Sequence, residues 1–155
     1  MRLTIKSQLA TCQLPETGQL SPYQVIGLVT DLAINHSNYY GRSVNDLISR
    51  LALALETGKA KVFFDDEQRP YGYASWGFIE EDTHQSLLSG EIPDSELTTH
   101  FSETASNRLW FSDFLCPFCA PLFMLQLLKQ ELANHDSAYL LQQSTENATT
   151  VRRLW

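Results

Sequence analysis

Two side chains of this 155-residue chain, those of His36 and Asp113, could together move a proton. A neutral imidazole at His36 could serve as a general base near neutral pH. Asp113 is a lone carboxylate within the apolar segment 109–115, where a buried charge is costly unless another group pairs with it. Such a pair could activate a nucleophile for acyl transfer. The structural alternatives are a surface or capping role for His36 and a helix-capping or loop-bonding role for Asp113.

A second constellation is the sequence C-P-F-C at residues 116–119, which has the C-x-x-C spacing of thiol oxidoreductases. Only 36 residues follow Cys119, and their one proline is Pro121, which leaves no room for the remaining sheet and cis-proline strand of a thioredoxin-like fold. A thiol-disulfide oxidoreductase is therefore an alternative rather than the leading hypothesis. A covalent acyl-enzyme on a cysteine or serine, with Ser37 and Ser112 as serine candidates, also stays open.

The sequence shows no spacing that is typical of a metal or phosphate site. His84, His100 and His135 are not arranged as an H-x-x-x-H pair, and the cysteines lack a second C-x-x-C. No glycine-rich phosphate loop is present either. We therefore expect no bound metal and no resident nucleotide.

The charge of the chain is strongly uneven. The formal net charge is −7, and residues 80–103 contain seven acidic residues and no Lys or Arg. This acidity disfavours a nucleic-acid partner, because nucleic-acid binding depends on clustered cations. The first 13 residues lack the apolar run of a signal peptide, and no segment approaches the roughly 20 apolar residues of a membrane helix. We expect a cytoplasmic protein whose three cysteines form no disulfide framework.

Two helices must position His36. Residues 21–24 combine a serine cap, a proline and a glutamine, and the apolar stripe over residues 25–33 extends this helix to a point just before His36. Ser43 as a cap and Gly58 as a left-handed end predict a second helix. We expect His36 to lie in the connection between the two helices.

Strands and one more helix must position Asp113. Strand patterns cover residues 59–64, 71–79, 108–115, 138–142 and 149–155, an apolar helix covers residues 121–132, and residues 80–103 read as helical turns and loop. Alternation along the third strand places Asp113 on one face with Leu109, Phe111 and Leu115. The order predicts one α+β domain over residues 1–155, with a single mixed, mostly antiparallel sheet and flanking helices.

Longer motifs add a resemblance to a known family. The sequence Y-A-S-W-G at residues 73–77, with two glutamates close behind, is followed by W-F-S-D-F at residues 110–114 and P-F at residues 117–118. In this order these motifs resemble those of the toxin-activating lysine acyltransferases of Gram-negative bacteria, the hemolysin-activating type, which modify RTX protoxins. The resemblance covers roughly residues 28–132. In that family the catalytic His follows the first helix and the catalytic Asp lies in the W-F-x-D motif, positions that correspond here to His36 and Asp113.

The resemblance implies a fold similar to the GNAT acetyltransferases and a cytoplasmic enzyme with no bound cofactor. It further implies that a fatty acyl group moves from acyl carrier protein to the ε-amino group of internal lysines in an RTX protoxin. His36 would be the general base, and Asp113 would orient its imidazole. A non-catalytic toxin chaperone of the same fold is a further alternative. The sequence is compatible with a monomer or a homodimer.

The chain departs from the family pattern at two places. Ser37 stands where the family has Arg, and C-P-F-C replaces A-P-F-G. Residues 116–122 contain no glycine, whereas GNAT enzymes bind the coenzyme A pyrophosphate at a glycine-rich turn, so a carrier-protein donor is favoured over coenzyme A. Docking of an acidic carrier would need basic residues, and the candidates are Arg42, Arg50, Lys59, Lys61, Arg69 and Arg108.

Overall fold

The computed structural model describes residues 13–14, 18–39, 41–103, 108–118, 121–143 and 149–155. The first elements are β1 (Gln13–Leu14), β2 (Gly18–Gln19), α1 (Pro22–Ile34), a 3-10 helix (Ser37–Tyr39) and α2 (Val44–Thr57). The middle elements are β3 (Ala60–Phe64), β4 (Pro70–Ile79), α3 (Glu81–Ser89), a second 3-10 helix (Asp94–His100) and β5 (Arg108–Leu115). The last are α4 (Pro121–Glu131), β6 (Ala138–Gln143) and β7 (Thr149–Arg153).

Helix α1 begins at the capping box that the sequence predicts. The Ser21 hydroxyl accepts the backbone N–H of Gln24 at 3.3 Å, and the Gln24 side chain accepts the backbone N–H of Ser21 at 2.8 Å. Two backbone donors that the helix itself cannot satisfy are thereby bonded. The helix ends at Ile34, so His36 lies beyond its last turn, as predicted.

Helix α2 also has the predicted ends. Its cap, Ser43, accepts the backbone N–H of Asp46 at 3.1 Å, and Asp46 places a negative charge in the first turn. Gly58 ends the helix with φ 67°, a left-handed conformation that glycine adopts without steric cost. The buried side chains of α2 are Leu47, Leu51 and Ala54, which form one face.

The strands form a mixed sheet in the order β3-β4-β5-β6-β7. The β3–β4 hairpin and the β6–β7 pair are antiparallel, whereas β5 and β6 are parallel, with Leu109 opposite Ala138. With its flanking helices, this sheet confirms the predicted α+β, GNAT-like acyltransferase architecture. The described helices include none that is long and apolar enough to cross a membrane.

The described residues divide into two compact units. The first unit comprises residues from Met1–Ser75 and Asp113–Leu127. Its core joins the apolar faces of α1 and α2 to strands β3, β4 and the end of β5 through Val29, Leu32, Leu51, Val62, Tyr73 and Leu115. Burial of these side chains fixes the two helices, and therefore the connection that carries His36, on the hairpin.

The second unit comprises residues from Trp76–Ser112 and Leu128–Trp155. Its core contains Ile79, Leu87, Leu97 and Trp110. Leu87 belongs to α3, so part of the segment that the sequence predicts as helical turns and loop is a regular helix of nine residues. Two buried side chains three positions apart, those of His84 and Leu87, form the inward face of this helix.

Candidate active site

His36 is held at the end of α1 by its own backbone. Its N–H donates to the Ala33 carbonyl at 3.1 Å, and its carbonyl accepts the N–H of Tyr39 at 2.9 Å. The imidazole is half-buried and meets the Tyr39 ring edge-on, with 5.5 Å between the ring centroids. Burial lowers the pKa of His36 below its usual value of 6.5, because desolvation disfavours the charged imidazolium. The neutral form, which can accept a proton, therefore predominates at pH 7.

Asp113 is buried, with 1% of its surface exposed, on the predicted face of β5. Its Oδ1 accepts the Tyr39 hydroxyl at 2.6 Å and lies 3.3 Å from a terminal nitrogen of Arg50. Its Oδ2 accepts the Ser75 hydroxyl at 3.2 Å. The sequence argument that a carboxylate among large apolar side chains needs partners is confirmed. Helix α2, strand β4 and the α1–α2 connection each supply one of them.

Opposing effects act on the pKa values of this cluster. Burial raises the pKa of Asp113, while the Arg50 charge and the hydrogen bonds from Tyr39 and Ser75 act to lower it. Burial and the neighbouring Asp113 charge raise the pKa of Tyr39 well above its usual value of 10.0. Tyr39 therefore keeps its proton and acts as a hydrogen-bond donor to Asp113 throughout the physiological range.

Tyr39 links the two residues that the sequence predicts to be catalytic. Its ring contacts the His36 imidazole, and its hydroxyl donates to Asp113. The Arg42 guanidinium lies over the same ring, 4.9 Å from the centroid. The structure thus brings His36 and Asp113 into one cluster through Tyr39, and the orienting of His36 by Asp113 stays a prediction.

Sequence reasoning missed Tyr39 and Ser75 as members of this cluster, and it assigned Arg50 to a docking surface instead. Arg50 carried a usable signal, because it lies beside the apolar stripe of α2 and so presents a cation close to the core. A lone carboxylate in an apolar strand and a cation beside an apolar stripe both need a partner of opposite charge. Tyr39 and Ser75 carried no comparable signal, since neutral hydroxyls are common in buried positions when they are hydrogen-bonded.

The structure corrects the predicted basic docking surface. Lys61 is 1% exposed, so its inclusion in a surface patch is wrong; it belongs to β3, and its ammonium lies 5.7 Å from the Phe63 ring centroid. Arg50 points to Asp113, and Arg69 pairs with Asp65 at 2.9 Å. All residues of β3 from Lys61 to Phe64 are buried, so both faces of this strand are covered and Lys61 is buried with its neighbours.

The described residues give little information on the cysteines and no group of metal ligands. Cys116 is half-buried, whereas Cys119 and Cys12 lie outside the described residues. Within the described ranges, no three His, Cys, Asp or Glu side chains are grouped as metal ligands would be.

Comparison with protein families finds a match that spans most of the chain. Residues 19–154 match the family model described as HlyC, RTX toxin acyltransferase family. The matched segment contains His36, Tyr39, Arg50, Ser75 and Asp113. Comparison with curated proteins gave no match.

Proposed function

Because the chain belongs to the RTX toxin acyltransferase family, we propose that it transfers a fatty acyl group from acyl carrier protein to a lysine of an RTX protoxin. Acylation of an RTX toxin is the activity of the family. The identity of the donor, the lysine acceptor and the roles of individual residues are our proposals. The observation that carries the mechanism is the half-buried His36, whose lowered pKa favours a neutral imidazole.

Lysine acylation needs a base. The ε-amino group has a reference pKa of about 10.4, so it carries a proton at neutral pH and has no lone pair for attack. In the proposed reaction, the ammonium first loses one proton to solvent, and His36 accepts a second proton from the lysine nitrogen as that nitrogen attacks the thioester carbonyl carbon. The C–N bond forms, the C–S bond breaks, and the carrier thiolate leaves with the proton that the imidazolium returns. The products are an amide, a free carrier thiol and the one proton released to solvent, so atoms and charge balance without any cofactor.

We propose that Asp113 acts on this step as a positioning residue. Its carboxylate accepts the hydroxyl of Tyr39, and the Tyr39 ring packs against the imidazole of His36. Holding Tyr39 in one orientation would hold the imidazole in one orientation as well, which favours proton transfer. The negative charge of Asp113 would also stabilise the imidazolium that forms during the reaction.

Tyr39→Phe tests this positioning role. The variant keeps the ring that contacts His36 but removes the hydroxyl that donates to Asp113. We expect kcat for acyl transfer to fall by about tenfold, with little change in KM for the donor, because only the alignment of the base is disturbed. Steady-state kinetics with acyl carrier protein as the varied substrate would measure both constants. An unchanged kcat would remove Tyr39 from the mechanism.

The sequence of residues 116–122 bears on the acyl donor, and the identity of the donor in turn suggests where in the cell the reaction takes place. Residues 116–122 lack the glycines with which related folds bind the coenzyme A pyrophosphate, which supports a carrier-protein thioester as donor. We propose that the reaction takes place in the cytoplasm, where a newly made protoxin and the acyl carrier would meet.

The reaction itself can be tested directly. The purified chain would be incubated with acyl carrier protein that bears an isotope-labelled fatty acyl group and with a fragment of the RTX protoxin made alongside it. Peptide mass spectrometry should find the labelled acyl group on lysine in an amide bond. The same acyl group supplied as a coenzyme A thioester should transfer much more slowly.

Other outcomes would favour the alternatives. Stable binding of the protoxin fragment without acyl-lysine would indicate a toxin chaperone. Reduction of a disulfide substrate that is lost in Cys116→Ser would indicate the thiol oxidoreductase suggested by C-P-F-C. Either result, together with the absence of acyl-lysine, would refute the proposed activity.

A further inference from the structure

A small apolar pocket lies between α1 and α2, beside the residues that hold His36. Its volume is about 200 Å³. The residues that line it include Ala33 and Ile34 from α1, Val44 and Leu47 from α2, and Tyr39 and Arg42 from the connection between the two helices. All of these belong to the first compact unit.

The pocket shares one residue, Tyr39, with the proposed catalytic cluster. Tyr39 forms one wall, and the same ring meets the His36 imidazole with 5.5 Å between centroids. Ala33 forms another wall, and its carbonyl accepts the backbone N–H of His36. A molecule seated in the pocket would therefore contact Tyr39 and Ala33, the two residues through which the pocket adjoins His36.

The rim of the pocket exposes apolar side chains to solvent. Ile34 is 69% exposed and Val44 is 63% exposed, and they border the pocket from the ends of two different helices. Two large aliphatic side chains grouped around an apolar concavity are typical of a surface that an apolar ligand covers.

The proposed reaction supplies two candidates for this ligand, the acyl chain and the lysine side chain. Arg42 favours the acyl chain, because this residue lines the pocket and its guanidinium lies over the ring of another lining residue, 4.9 Å from the Tyr39 ring centroid. A protonated lysine approaching this wall would meet a like charge. An acyl chain carries no charge, and the acidic carrier that delivers it would be attracted by Arg42.

We infer that this pocket binds the fatty acyl chain of the donor thioester and that Arg42 contacts the acidic carrier protein at its rim. The inference rests on the proposed function. The pocket would place the thioester next to His36 and leave the apolar chain between the two helices. Each methylene that it buries strengthens binding by about fourfold, so the depth of the pocket would select the length of the acyl chain.

Val44→Trp tests the pocket through chain-length selection. The larger side chain would fill space at the rim, and we expect kcat/KM for a 16-carbon acyl carrier protein to fall roughly tenfold more than that for an 8-carbon one. The matched control is Ile48→Trp, one turn further along α2, where the residue is also exposed but does not line the pocket. That control should leave the ratio unchanged. An equal effect of both variants, or of Val44→Trp on both chain lengths, would overturn the inference.

Photo-crosslinking gives a readout that does not depend on turnover. Acyl carrier protein carrying a fatty acyl chain with a terminal diazirine would be mixed with the chain and irradiated, and the cross-linked peptides would be identified. We expect labelling of peptides that contain Ala33 or Leu47. Lysine acylation with cross-links only at other peptides would refute the pocket while leaving the proposed function intact. The absence of any lysine acylation would refute the proposed function instead.

Arg42→Gln tests the contact with the carrier. Loss of the guanidinium should raise KM for acyl carrier protein severalfold at low salt and reduce its dependence on ionic strength. Lys129→Gln, an exposed cation on α4 outside the pocket, is the matched control and should leave KM unchanged. An unchanged KM in Arg42→Gln would remove Arg42 from the docking surface.

Discussion

Arg50 shares its guanidinium between two carboxylates that differ sharply in exposure. One terminal nitrogen lies 3.3 Å from Asp113, whose side chain is 1% exposed, and the other lies 3.2 Å from Asp46, whose side chain is 50% exposed. Removing a buried partner leaves an uncompensated charge in the core, whereas removing an exposed partner leaves a charge that water can solvate. The same cation therefore provides two very different interactions.

Asp113→Asn and Asp46→Asn measure this difference. We expect Asp113→Asn to lower the free energy of unfolding by about 3 kcal/mol, because Arg50 keeps its charge beside a neutral amide. Asp46→Asn should lower it by less than about 1 kcal/mol. Urea denaturation of both variants at pH 7 would provide the comparison. Equal effects would show that the Asp113 pair contributes no more than a surface ion pair.

At the residue scale the sequence predicted which carboxylate needed partners but not which groups provide them. The isolation of Asp113 on an apolar strand face is a local property, so it could be read from residues 109–115 alone. Tyr39 and Ser75 come from segments 74 and 38 residues away, and only the packing of the α1–α2 connection and β4 around β5 brings them to Asp113. Pairing between distant side chains has no local signal.

Element boundaries were the most predictable feature, because their signals are local. The capping box before α1, the left-handed Gly58 after α2 and the proline at the start of α4 all lie where the sequence placed them. Residues 80–103 were harder, since α3 has only His84 and Leu87 as buried positions and its apolar pattern is short. Tertiary packing, rather than periodicity, supports that helix.

Two glycines, one in a helix and one in a strand, show that the effect of a glycine-to-alanine substitution on stability depends on the surroundings of the element. Gly27 is exposed within α1, and a methyl group there would meet no atom within 4 Å. Gly77 lies on β4, where a methyl group would overlap the ring of Phe101. Glycine in a helix interior is less favourable than alanine, while overpacking of a core forces neighbours to move.

Gly27→Ala should therefore raise the free energy of unfolding by about 0.5–1 kcal/mol, and Gly77→Ala should lower it by about 1–3 kcal/mol. Urea denaturation followed by circular dichroism would measure both variants against the parent chain. Opposite signs are the expected result. A neutral Gly77→Ala would mean that Phe101 does not pack on this strand.

For the molecule as a whole, the sequence predicted the uneven distribution of charge but not the order in which the strands pair. The sequence indicated an acidic segment, and the structure shows that one of its members, Glu81, pairs with Arg108 at 2.6 Å. Hydrogen bonds from Arg108 and Gln85 lower the pKa of Glu81 to about 2. The mixed character of the sheet was predicted, whereas the particular parallel pairing of β5 with β6 depends on contacts between segments distant in sequence.

The stability of the molecule should depend on pH through His84. This side chain is 2% exposed, and its Nδ1 accepts the Trp110 indole N–H at 3.1 Å, which requires the neutral imidazole. Burial, with a smaller effect of Arg108, lowers the pKa of His84 below 6.5, although Glu81 acts in the opposite direction. The unfolded chain therefore binds a proton more readily than the folded chain as the pH falls below 6.5.

The free energy of unfolding should accordingly be highest above pH 6.5 and decline as the pH falls through the folded pKa of His84. His36 contributes in the same direction, since burial also lowers its pKa. Urea denaturation at pH 7.5 and pH 5.5 should show a smaller loss in His84→Gln than in the parent chain, while His100→Gln should retain the full loss. Equal losses in all three would contradict this assignment.

The most direct test of the central claim is the initial rate of lysine acylation by His36→Ala, measured with labelled acyl carrier protein and the protoxin fragment. We predict a decrease of about 100- to 10,000-fold, because the general base is lost, while His100→Ala keeps the parent rate. In the parent chain the rate should fall on acidification below pH 6.5, as His36 becomes protonated. An undiminished rate in His36→Ala would contradict the account.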